Sequence, residues 1–383
     1  MIRPTRALID TDALRNNVSI LRSRIPATTR IMGIAKADCY GHGAAICIPV
    51  LQECGIDTFG VATIQEAIGL RELGVTGTVA VLPPPLEGEY HLFPEHDIET
   101  VLSTPEMASR MAAAADAAGR RVRVHLFVDT GMGRNGARPA DALSVLGFCS
   151  SFDSLEIVGI ASHFATSDEP QNSFTMEQIG IFDHTVRMAL DAGFRFRDIH
   201  IANSGGLLNF SASHYTLVRP GLALYGYHPT PELQSASGLA PVMSLRSVIG
   251  NVTRMPAGTS VSYGRRYFTP CDTLVATVPI GYADGVMRIL TNNLTAIVRG
   301  RRVPVVGTIC MDEVMLDLGP VDGSQPGDEV ILIGSSDGEE INAWDIAARA
   351  GTIPYEICTG ISRRVPRIEA PPIPDDVQNG ERT

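Results

Sequence analysis

The chain has 383 residues, of which 44% are hydrophobic and 19% charged, so it can bury sizeable cores and is not a disordered chain. This length predicts two domains, since a domain commonly holds about 100–200 residues. The net charge of −11 argues against a general binder of nucleic acid or anionic membranes. No apolar run approaches the ~18 residues of a spanning helix, and the N-terminus lacks the apolar core of a signal peptide. Seven unclustered cysteines without a CxxC pair indicate reduced thiols and predict a cytoplasmic location.

Strand-like and helix-like segments alternate over the first 238 residues. Amphipathic stretches such as Ile64–Leu73, Pro105–Ala118 and Thr175–Ala192 predict helices between the strands. This alternation implies a parallel sheet, and eight regularly spaced units favour a closed (β/α)8 TIM-type barrel over a doubly wound open sheet. The candidate strands lie near Ile31–Ala35, Thr58–Val61, Val79–Leu82, Ile98–Leu102, Val122–Asp129, Leu155–Ser162, Ile199–Ala202 and Leu217–Arg219.

A mostly β domain is predicted over residues 239–370, where the apolar runs become short and separated by turns. One helix is expected there at Ala343–Ala350, with Asn342 as its N-cap and Gly351 just past its end. Residues 371–383 are proline-rich and then polar, which predicts a flexible tail. The expected strands are Val242–Arg254, Thr273–Val278, Leu294–Val298, Val303–Ile309, Glu313–Leu318 and Asp328–Ile333.

The most informative motif is Ala35-Lys36-Ala37-Asp38-Cys39-Tyr40-Gly41-His42-Gly43, which starts where the first barrel strand should end. In such barrels the chemistry lies at the carboxyl ends of the strands. Burial there lowers the pKa of a lysine and makes it a nucleophile toward an aldehyde. The alternative is a surface lysine before a turn.

A second segment carries a formal GxGxxG pattern at Gly131, Gly133 and Gly136. A dinucleotide fingerprint should close the first strand of its fold, whereas this one follows the fifth strand and contains Arg134. We interpret it as a glycine-rich loop that presents Arg134 to an anionic or phenolic oxygen. A plain structural turn is the alternative.

The last three barrel strands end in polar residues. His163 ends the sixth strand and is either a catalyst or a hydrogen-bonded core residue. The ends of strands seven and eight commonly build the phosphate cradle of a barrel. Ser204 and the N–H groups of Gly221 and Leu222 are suited to hold a phosphate without a cation, which leaves Arg219 for another role.

Aromatic residues next to glycines mark the second domain, in Val261-Ser262-Tyr263-Gly264 and Pro279-Ile280-Gly281-Tyr282-Ala283-Asp284-Gly285. Cys310-Met311-Asp312 and, after the late helix, Tyr355 complete the set. Each of these segments alone is typical of turns and core residues in a β domain. Cys310 has no His or Cys at ligand spacing, so no metal site is expected.

Together the motifs KADCYGHG, DTGMGR, SHFA, ANS, RPG, SYG, GYADG and CMD resemble, in this order, those of alanine racemase. That family consists of pyridoxal-phosphate enzymes with a barrel and a β domain. The resemblance runs from Arg3 to Arg367 and implies a homodimer with shared active sites. It also implies interconversion of L- and D-alanine, which supplies D-alanine for peptidoglycan, with no nucleic-acid or membrane partner.

The resemblance implies a role for each matched residue. Lys36 matches the lysine that holds pyridoxal phosphate as a Schiff base, and Tyr263 matches the second catalytic base. Arg219 matches the arginine that faces the pyridine nitrogen, and His163 the histidine beside the ring. The residues that match the phosphate cradle are Tyr40, Ser204, Gly221, Leu222 and Tyr355.

Further matches concern the substrate. Arg134 matches an arginine near the phenolic oxygen of the cofactor and the substrate carboxylate, and the backbone around Met311 matches the carboxylate pocket. Tyr282 matches a tyrosine that gates the substrate channel, with Cys310 and Asp312 as supporting residues. The resemblance implies that Tyr263, Tyr282 and Met311 come from the partner chain.

The implied chemistry needs two bases, because the Cα proton leaves one face of a planar carbanion and returns to the other. Lys36 and Tyr263 fit this requirement. A free phenol has a pKa of about 10, so Tyr263 needs hydrogen bonds and positive charge from His163 and Arg219 to accept a proton near neutrality. An arginine opposite the ring nitrogen does not release its proton, which disfavours transamination.

The chain departs from the family pattern at three positions. Phe127 stands where many members have a carbamylated lysine, so Arg134 must be held by a bound anion or another side chain. Thr308 stands where an arginine is common, and Cys39 replaces a usual alanine. These changes affect expectations for rate, carboxylate affinity and substrate breadth, and leave the two bases in place.

Three alternative functions share part of this sequence pattern. A same-fold amino-acid decarboxylase would have a GGG-type phosphate loop and a cysteine-bearing C-terminal motif, and the sequence has neither. A serine or broad-specificity racemase is distinguished only by substrate profiling. A cofactor-carrying barrel protein without enzymatic activity would usually end after the barrel, whereas roughly 145 further residues follow here.

Overall fold

A computed structural model describes residues 3–319, 321 and 323–371. Residues 372–383, where a flexible tail is predicted, lie outside the described part. The chain divides into two compact units. One contains Arg15–Cys39 and Cys47–Leu239, and the other contains Tyr40–Ile46 and the described residues before Arg15 and after Leu239.

The first unit contains the predicted barrel. A preceding strand, β1 (Arg6–Ile9), belongs to the second sheet. Eight parallel strands then form one sheet in the order β8-β7-β6-β5-β4-β3-β2-β9. These strands are β2 Arg30–Ile34, β3 Thr58–Val61, β4 Thr78–Val81, β5 Glu99–Leu102, β6 Val122–Phe127, β7 Leu155–Ala161, β8 Asp198–His200 and β9 Leu217–Val218.

Backbone hydrogen bonds between the last two strands complete the ring. The Thr216 N–H donates to the Ile199 carbonyl at 3.3 Å, and the Arg219 N–H donates to the Ala202 carbonyl at 2.8 Å. Nearly every residue of β3, β4 and β5 is buried, as expected for parallel strands covered on both faces. The barrel prediction is therefore confirmed, and the carboxyl strand ends gather the loops that matter below.

Helices alternate with these strands, and some of them begin at a side chain that caps the first turn. At α6, the Thr104 hydroxyl accepts from the Met107 N–H, Pro105 is the first helical residue, and Gly119 ends the helix with a φ of 62°. The helices are α1 Thr11–Ser23, α2 Lys36–Tyr40, α3 Ala44–Glu53, α4 Ile64–Glu72, α5 Leu92–Glu95, α6 Pro105–Ala118, α7 Ala142–Cys149, α8 Phe174–Asp191, α9 Ser204–Asn209 and α10 Gln234–Ser237.

A mostly antiparallel sheet forms the second unit, in the order β11-β14-β17-β16-β15-β18-β10-β1-β20, with β19 paired to β18. β12 and β13 form a separate two-stranded ribbon. The strands are β10 Met243–Val248, β11 Asn251–Met255, β12 Ser260–Val261, β13 Tyr267–Phe268, β14 Thr273–Val278, β15 Leu294–Val298, β16 Arg301–Val306, β17 Val314–Asp317, β18 Glu329–Ser336, β19 Glu339–Ile341 and β20 Arg367–Glu369.

Two predictions for this unit have different outcomes. The helix α11 (Ala343–Ala350) is confirmed, with Asn342 accepting from two N–H groups of its first turn and Gly351 at a φ of 71°. The single strand predicted over Val242–Arg254 is wrong, because the chain leaves β18 after Val248 and pairs with β14 from Asn251. The last helix of the described part is α12 (Pro354–Gly360).

No helix within the described residues has both the length and the hydropathy that crossing a membrane requires. The two-domain division at 238/239 stays our proposal, with β1 assigned to the second sheet.

Candidate active site

Lys36 is the first residue of α2, which is a left-handed turn that follows β2 after one residue, Ala35. The four residues that follow, 37–40, have φ angles between 51° and 56°. Each L-residue costs roughly 1–2 kcal/mol in this conformation, so the surroundings must hold the turn. The Ala37 N–H donates to the Glu66 carboxylate at 2.6 Å. Strain of this kind clusters at functional sites.

Glu66 joins this turn to helix α4. One of its carboxylate oxygens accepts from Ala37, and the other accepts from the N–H groups of Ala62 and Thr63 at 2.9 and 3.2 Å. The Glu66 N–H donates in turn to the Thr63 hydroxyl at 3.2 Å, which completes a capping box. Glu66 was not among the predicted site residues, although Thr63-x-x-Glu66 is the pattern that signals such a cap.

The environment of Lys36 favours its neutral amine. Although the residue is exposed in the isolated chain, partial desolvation lowers its pKa, and the positive charge of Arg134 lowers it further. The negative charge of Glu66 opposes both effects. The net lowering increases the fraction of nucleophilic amine near neutral pH.

Arg134 lies on a loop that Asp129 organises. The Asp129 carboxylate accepts from the N–H groups of Gly131 at 2.9 Å and Gly133 at 3.1 Å. The Arg134 side chain is exposed, and within the described residues its guanidinium forms no ion pair or hydrogen bond. The loop therefore presents a cation that is available to an anionic ligand.

Phe127 is 8% exposed and packs in an apolar cluster with Val101 and Ala161. A phenyl ring at this position offers Arg134 neither a carbamate nor any other hydrogen-bond acceptor.

Arg219 is a buried cation, 3% exposed, that directly follows β9. Its terminal nitrogens donate to Nδ1 of His200 at 2.6 Å, to Nδ1 of His163 at 3.1 Å, and to the carbonyls of Ser162 and Ile201 at 2.7 and 3.3 Å. Within the described residues no carboxylate pairs with it, and no acceptor engages its Nε–H. Burial, followed by the charge of Arg134, lowers the pKa of Arg219 to about 9, so it stays cationic at neutral pH.

His163 is held beside Arg219 as a neutral ring. Because an arginine N–H only donates, Nδ1 of His163 must accept, which leaves the imidazole proton on Nε2. Burial, and then the charges of Arg219, Arg134 and Lys36, lower the pKa of His163 well below its ordinary value. The ring is therefore a neutral donor at its other nitrogen.

Ser204 begins helix α9 and binds the segment that follows β9. Its hydroxyl oxygen accepts from the N–H groups of Gly221 at 3.0 Å and Ala223 at 3.2 Å. Ser204 and Leu222 are buried. Among the described residues nothing accepts the Ser204 hydroxyl proton, so this hydroxyl keeps a donor for a ligand.

In the second unit, Tyr40 and Tyr355 pack with their ring centroids 5.7 Å apart. Gly41 permits the close approach of this segment to α12: a Cβ there would lie 2.3 Å from the Cys358 carbonyl oxygen, and the φ of Gly41 is +82°. Burial, and then Tyr355, raise the pKa of Tyr40, so its phenol stays protonated.

A cavity of about 750 Å³ in the β domain brings together several predicted site residues. The Tyr282 N–H donates to the Cys310 carbonyl at 2.9 Å. A Cβ on Gly281 would lie 2.4 Å from that same oxygen, so the approach of these two loops requires glycine. The predicted residues that line the cavity are Tyr263, Tyr282, Cys310, Met311 and Asp312.

Hydrogen bonds join Thr308 to Tyr263 and to the preceding residue, Ser262. The Thr308 hydroxyl donates to the Tyr263 carbonyl, and the Ser262 hydroxyl donates to the Thr308 carbonyl, each at 2.6 Å. The Tyr263 ring itself is 73% exposed. Thr308, which departs from the family pattern, therefore holds the backbone of Tyr263, the residue that matches the second catalytic base of the family.

Cys310 and Asp312, the predicted supporting residues, each contact one nearby side chain. The Cys310 thiol lies 3.4 Å from the Ser262 hydroxyl, and the exposed Asp312 accepts from Arg364 at 2.7 Å.

A parallel barrel that places a lysine of lowered pKa at a strand end, followed along the chain by a β domain, has the features of a barrel enzyme of amine–carbonyl chemistry. Comparison with known proteins defines it further. The alanine racemase N-terminal domain matches residues 9–229, and the alanine racemase C-terminal domain matches residues 242–369. The chain belongs to the alanine racemase family.

Individual relatives resemble the chain over almost its whole length. The alanine racemase of Geobacter sulfurreducens is 41% identical, over 96% of this chain and 97% of its own. The crystal structure of alanine racemase from D-cycloserine-producing Streptomyces lavendulae has a TM-score of 0.92 and 38% identity, over 97% of this chain and 98% of its own. The Bartonella henselae alanine racemase, solved with covalently bound pyridoxal phosphate, has a TM-score of 0.86 and 29% identity, over 96% and 99%.

Proposed function

We propose that the chain is a pyridoxal-phosphate-dependent racemase that interconverts L-alanine and D-alanine and supplies D-alanine for peptidoglycan. The main support for this proposal is the state of Arg219. This buried cation has no carboxylate partner among the described residues, and its Nε–H donates to none of their acceptors. A neutral pyridine nitrogen is an acceptor that suits such a donor. We place the activity in the cytoplasm, which agrees with the absence of a disulfide among the seven cysteines, all of which are described.

The residues present fit pyridoxal phosphate in both its parts. Arg219 would face the ring nitrogen, and His163 would lie beside the ring. The hydroxyl donor of Ser204 and the segment Gly221–Leu222 suit a phosphate. The resemblance adds Tyr40 and Tyr355 to the residues that would hold it. When bound, the cofactor supplies an electron sink for the carbanion at the substrate Cα.

Lys36 and Tyr263 are proposed as the two bases. Lys36 has a lowered pKa, and its Nζ would hold the cofactor before substrate binds and, once released as a free amine, would exchange a proton with one face of the substrate Cα. Tyr263 exchanges a proton with the opposite face from its phenol oxygen. Thr308 and Ser262 hold the Tyr263 backbone, so the phenol is positioned by the β domain rather than by a flexible loop.

The substrate carboxylate is assigned to Arg134 and to the backbone around Met311. Arg134 has no competing anion among the described residues, so the carboxylate meets an uncompensated cation. Tyr282, at the cavity that Met311 lines, is proposed as the gate of the channel, with Cys310 and Asp312 in support.

We further propose a homodimer with shared active sites, in which Tyr263, Tyr282 and Met311 serve the partner's Lys36. Large side chains stay exposed around this cavity on the isolated chain: Tyr263 at 73%, Met311 at 51% and Tyr282 at 41%. An exposed group of this size on one face is typical of a surface that another chain covers.

Mixed dimers test the shared site. Lys36→Ala and Tyr263→Phe chains with different tags are co-expressed, and dimers carrying both tags are purified. If the sites are shared, each mixed dimer has one intact site of two and about half of the wild-type racemase activity. If each site is built from one chain, no mixed dimer has an intact site. The control pairs Lys36→Ala with a chain carrying both substitutions, which should stay inactive.

A further inference from the structure

A continuous row of buried polar groups crosses the barrel interior behind Arg219. The Glu99 carboxylate lies 2.9 Å from Nε2 of His125, whose Nδ1 lies 3.1 Å from Nε2 of His200. Nδ1 of His200 then lies 2.6 Å from the Arg219 guanidinium. All four side chains are at most 3% exposed. The row belongs wholly to the barrel unit, and the family motifs do not include Glu99 or His125.

Hydrogen-bond chemistry gives this row a single direction. The Arg219 N–H only donates, so Nδ1 of His200 accepts and the proton of a neutral His200 is on Nε2. That proton is donated to Nδ1 of His125, which leaves the His125 proton on Nε2, where it is donated to the Glu99 carboxylate. Each step follows from the one before it.

The charges at both ends agree with this direction. Burial alone would raise the pKa of Glu99, but its interactions with His125 and Arg197 outweigh burial and lower that pKa to about 2. Arg197 and Arg123 donate to the Glu99 carboxylate at 2.7 Å each, so it is a satisfied anion. Burial, followed by the charge of Arg219, lowers the pKa of His200 well below its ordinary value and keeps it neutral.

The barrel backbone is shaped to admit these rings. Gly159 on β7 faces His125: a Cβ there would lie 2.1 Å from the His125 Nδ1. The pairing of β6 with β7 also shifts register between Val124 and His125. Glu99, His125 and Asp198 each have one oxygen or nitrogen atom that could bind a metal ion, and these three atoms lie within 4.8 Å of one another. The arginines around them supply the positive charge, so these atoms form an ion-pair network rather than a cation site.

We propose that Glu99, His125 and His200 are positioning residues that fix the His200 tautomer so that its Nδ1 holds the Arg219 guanidinium in place. With its terminal nitrogens so engaged, Arg219 keeps its Nε–H available, and this N–H would donate to the ring nitrogen of the cofactor. This inference rests on the proposed function only for the identity of that acceptor. Reversing the His200 tautomer would set two N–H groups against each other and displace Arg219.

Two substitutions of His200 separate this role from a merely structural one. His200→Asn keeps an acceptor oxygen close to where Nδ1 stands, whereas His200→Leu removes it. We expect pyridoxal phosphate, titrated into apoprotein and followed by its visible absorbance, to bind His200→Leu and Glu99→Gln about tenfold more weakly than wild type. His200→Asn should stay within about threefold of wild type. Equal affinities of His200→Asn and His200→Leu would overturn the proposal.

His214→Asn is the matched control. His214 is also a buried barrel histidine, and its Nε2 lies 2.9 Å from the Leu207 carbonyl, outside the row. The His214→Asn substitution should lower thermal stability but leave the affinity for pyridoxal phosphate within about twofold of wild type. A tenfold loss in this control would overturn the proposal, because any buried histidine would then have the same effect.

If the variants fail to fold, the histidine tautomers can still be measured on the wild-type holoenzyme by NMR spectroscopy. With ¹⁵N-labelled histidine, the His200 and His125 rings should each show a protonated Nε2 and an unprotonated Nδ1 at pH 7. A protonated Nδ1 on His200, or a doubly protonated ring, would overturn the proposal. Racemisation by wild type is assayed in parallel, so a lack of racemase activity counts against the proposed function while the tautomers remain a separate result.

Discussion

The Glu66 carboxylate accepts a hydrogen bond at 2.6 Å from the N–H of Ala37, the residue that follows Lys36. One side chain thus caps helix α4, holds the left-handed turn and places a negative charge near the lysine. The position of Lys36 and its protonation are therefore coupled through Glu66.

We expect Glu66→Gln to lower the pKa of Lys36 further, because it removes the charge that raises it. The rate of covalent cofactor uptake by apoprotein, measured against pH, should shift its midpoint to lower pH. Thr63→Ala is the control: it removes the helix cap at a cost of about 1 kcal/mol and keeps the charge. An unshifted profile in Glu66→Gln would show that this charge does not reach Lys36.

Gly41→Ala should destabilise the protein strongly, because Gly41 has a φ of +82° and its Cβ would lie 2.3 Å from a backbone oxygen. Gly88→Ala is a matched comparison, with a φ of +88° and open space around the Cβ. In both variants, holding an alanine in the left-handed conformation costs roughly 1–2 kcal/mol of folding stability. Gly41→Ala should lose about 1–3 kcal/mol more to the clash. Chemical denaturation of the two variants measures the difference, and equal losses would contradict the close approach.

Thr308→Val should misplace Tyr263 by removing the hydroxyl that donates to its carbonyl. We expect kcat to fall about tenfold with cofactor affinity unchanged, since a lost buried hydrogen bond costs about 1–1.5 kcal/mol. Thr308→Ser keeps the hydroxyl and should retain most of the rate. Equal rates in the two variants would separate Thr308 from the positioning of Tyr263.

Acid should destabilise the fold in a window set by two histidines. The pKa values of His163 and His200 are lowered from 6.5 in the folded state, so below pH 6.5 the unfolded chain binds protons that the folded chain does not. Stability is therefore full above pH 6.5 and falls as pH drops, by up to about 1.4 kcal/mol per pH unit for each histidine. Glu99 adds a separate loss between pH 4.5 and about 2.

Urea unfolding at pH 7.5, 6.5 and 5.5 measures this dependence. His200→Asn should flatten the decline between pH 6.5 and 5.5. A wild-type midpoint that stays constant across these three values would contradict the neutral state of both rings.

The barrel could be predicted from the sequence because its strands are short buried runs that alternate with amphipathic helical stretches. Helix α6 lies within the predicted bounds, since Thr104 and Gly119 mark its ends. β1 was not predicted: Arg6–Ile9 has only four residues, and its partners β10 and β20 lie more than 200 residues away. The break at Ile249–Gly250 was also missed, because it depends on which strand each half pairs with.

Much less of the site could be predicted locally. The strand-end position of Lys36 followed from the alternation of elements, and most residue roles came from the motif resemblance. The left-handed turn depends on Glu66, which lies in the first turn of helix α4 and holds residues whose own preferences oppose that conformation. His125 and His200 lie inside strands, where an isolated histidine is not distinguishable from an ordinary core residue.

The central claim is that two bases serve opposite faces of the substrate Cα. Wild-type protein and Tyr263→Phe are incubated in D₂O with L-alanine and, separately, with D-alanine, and chiral analysis with mass spectrometry follows inversion and deuterium uptake. We predict that wild type inverts and labels both enantiomers, whereas Tyr263→Phe loses inversion but still labels one enantiomer through Lys36. Equal loss of labelling from both enantiomers in Tyr263→Phe would contradict the two-base account.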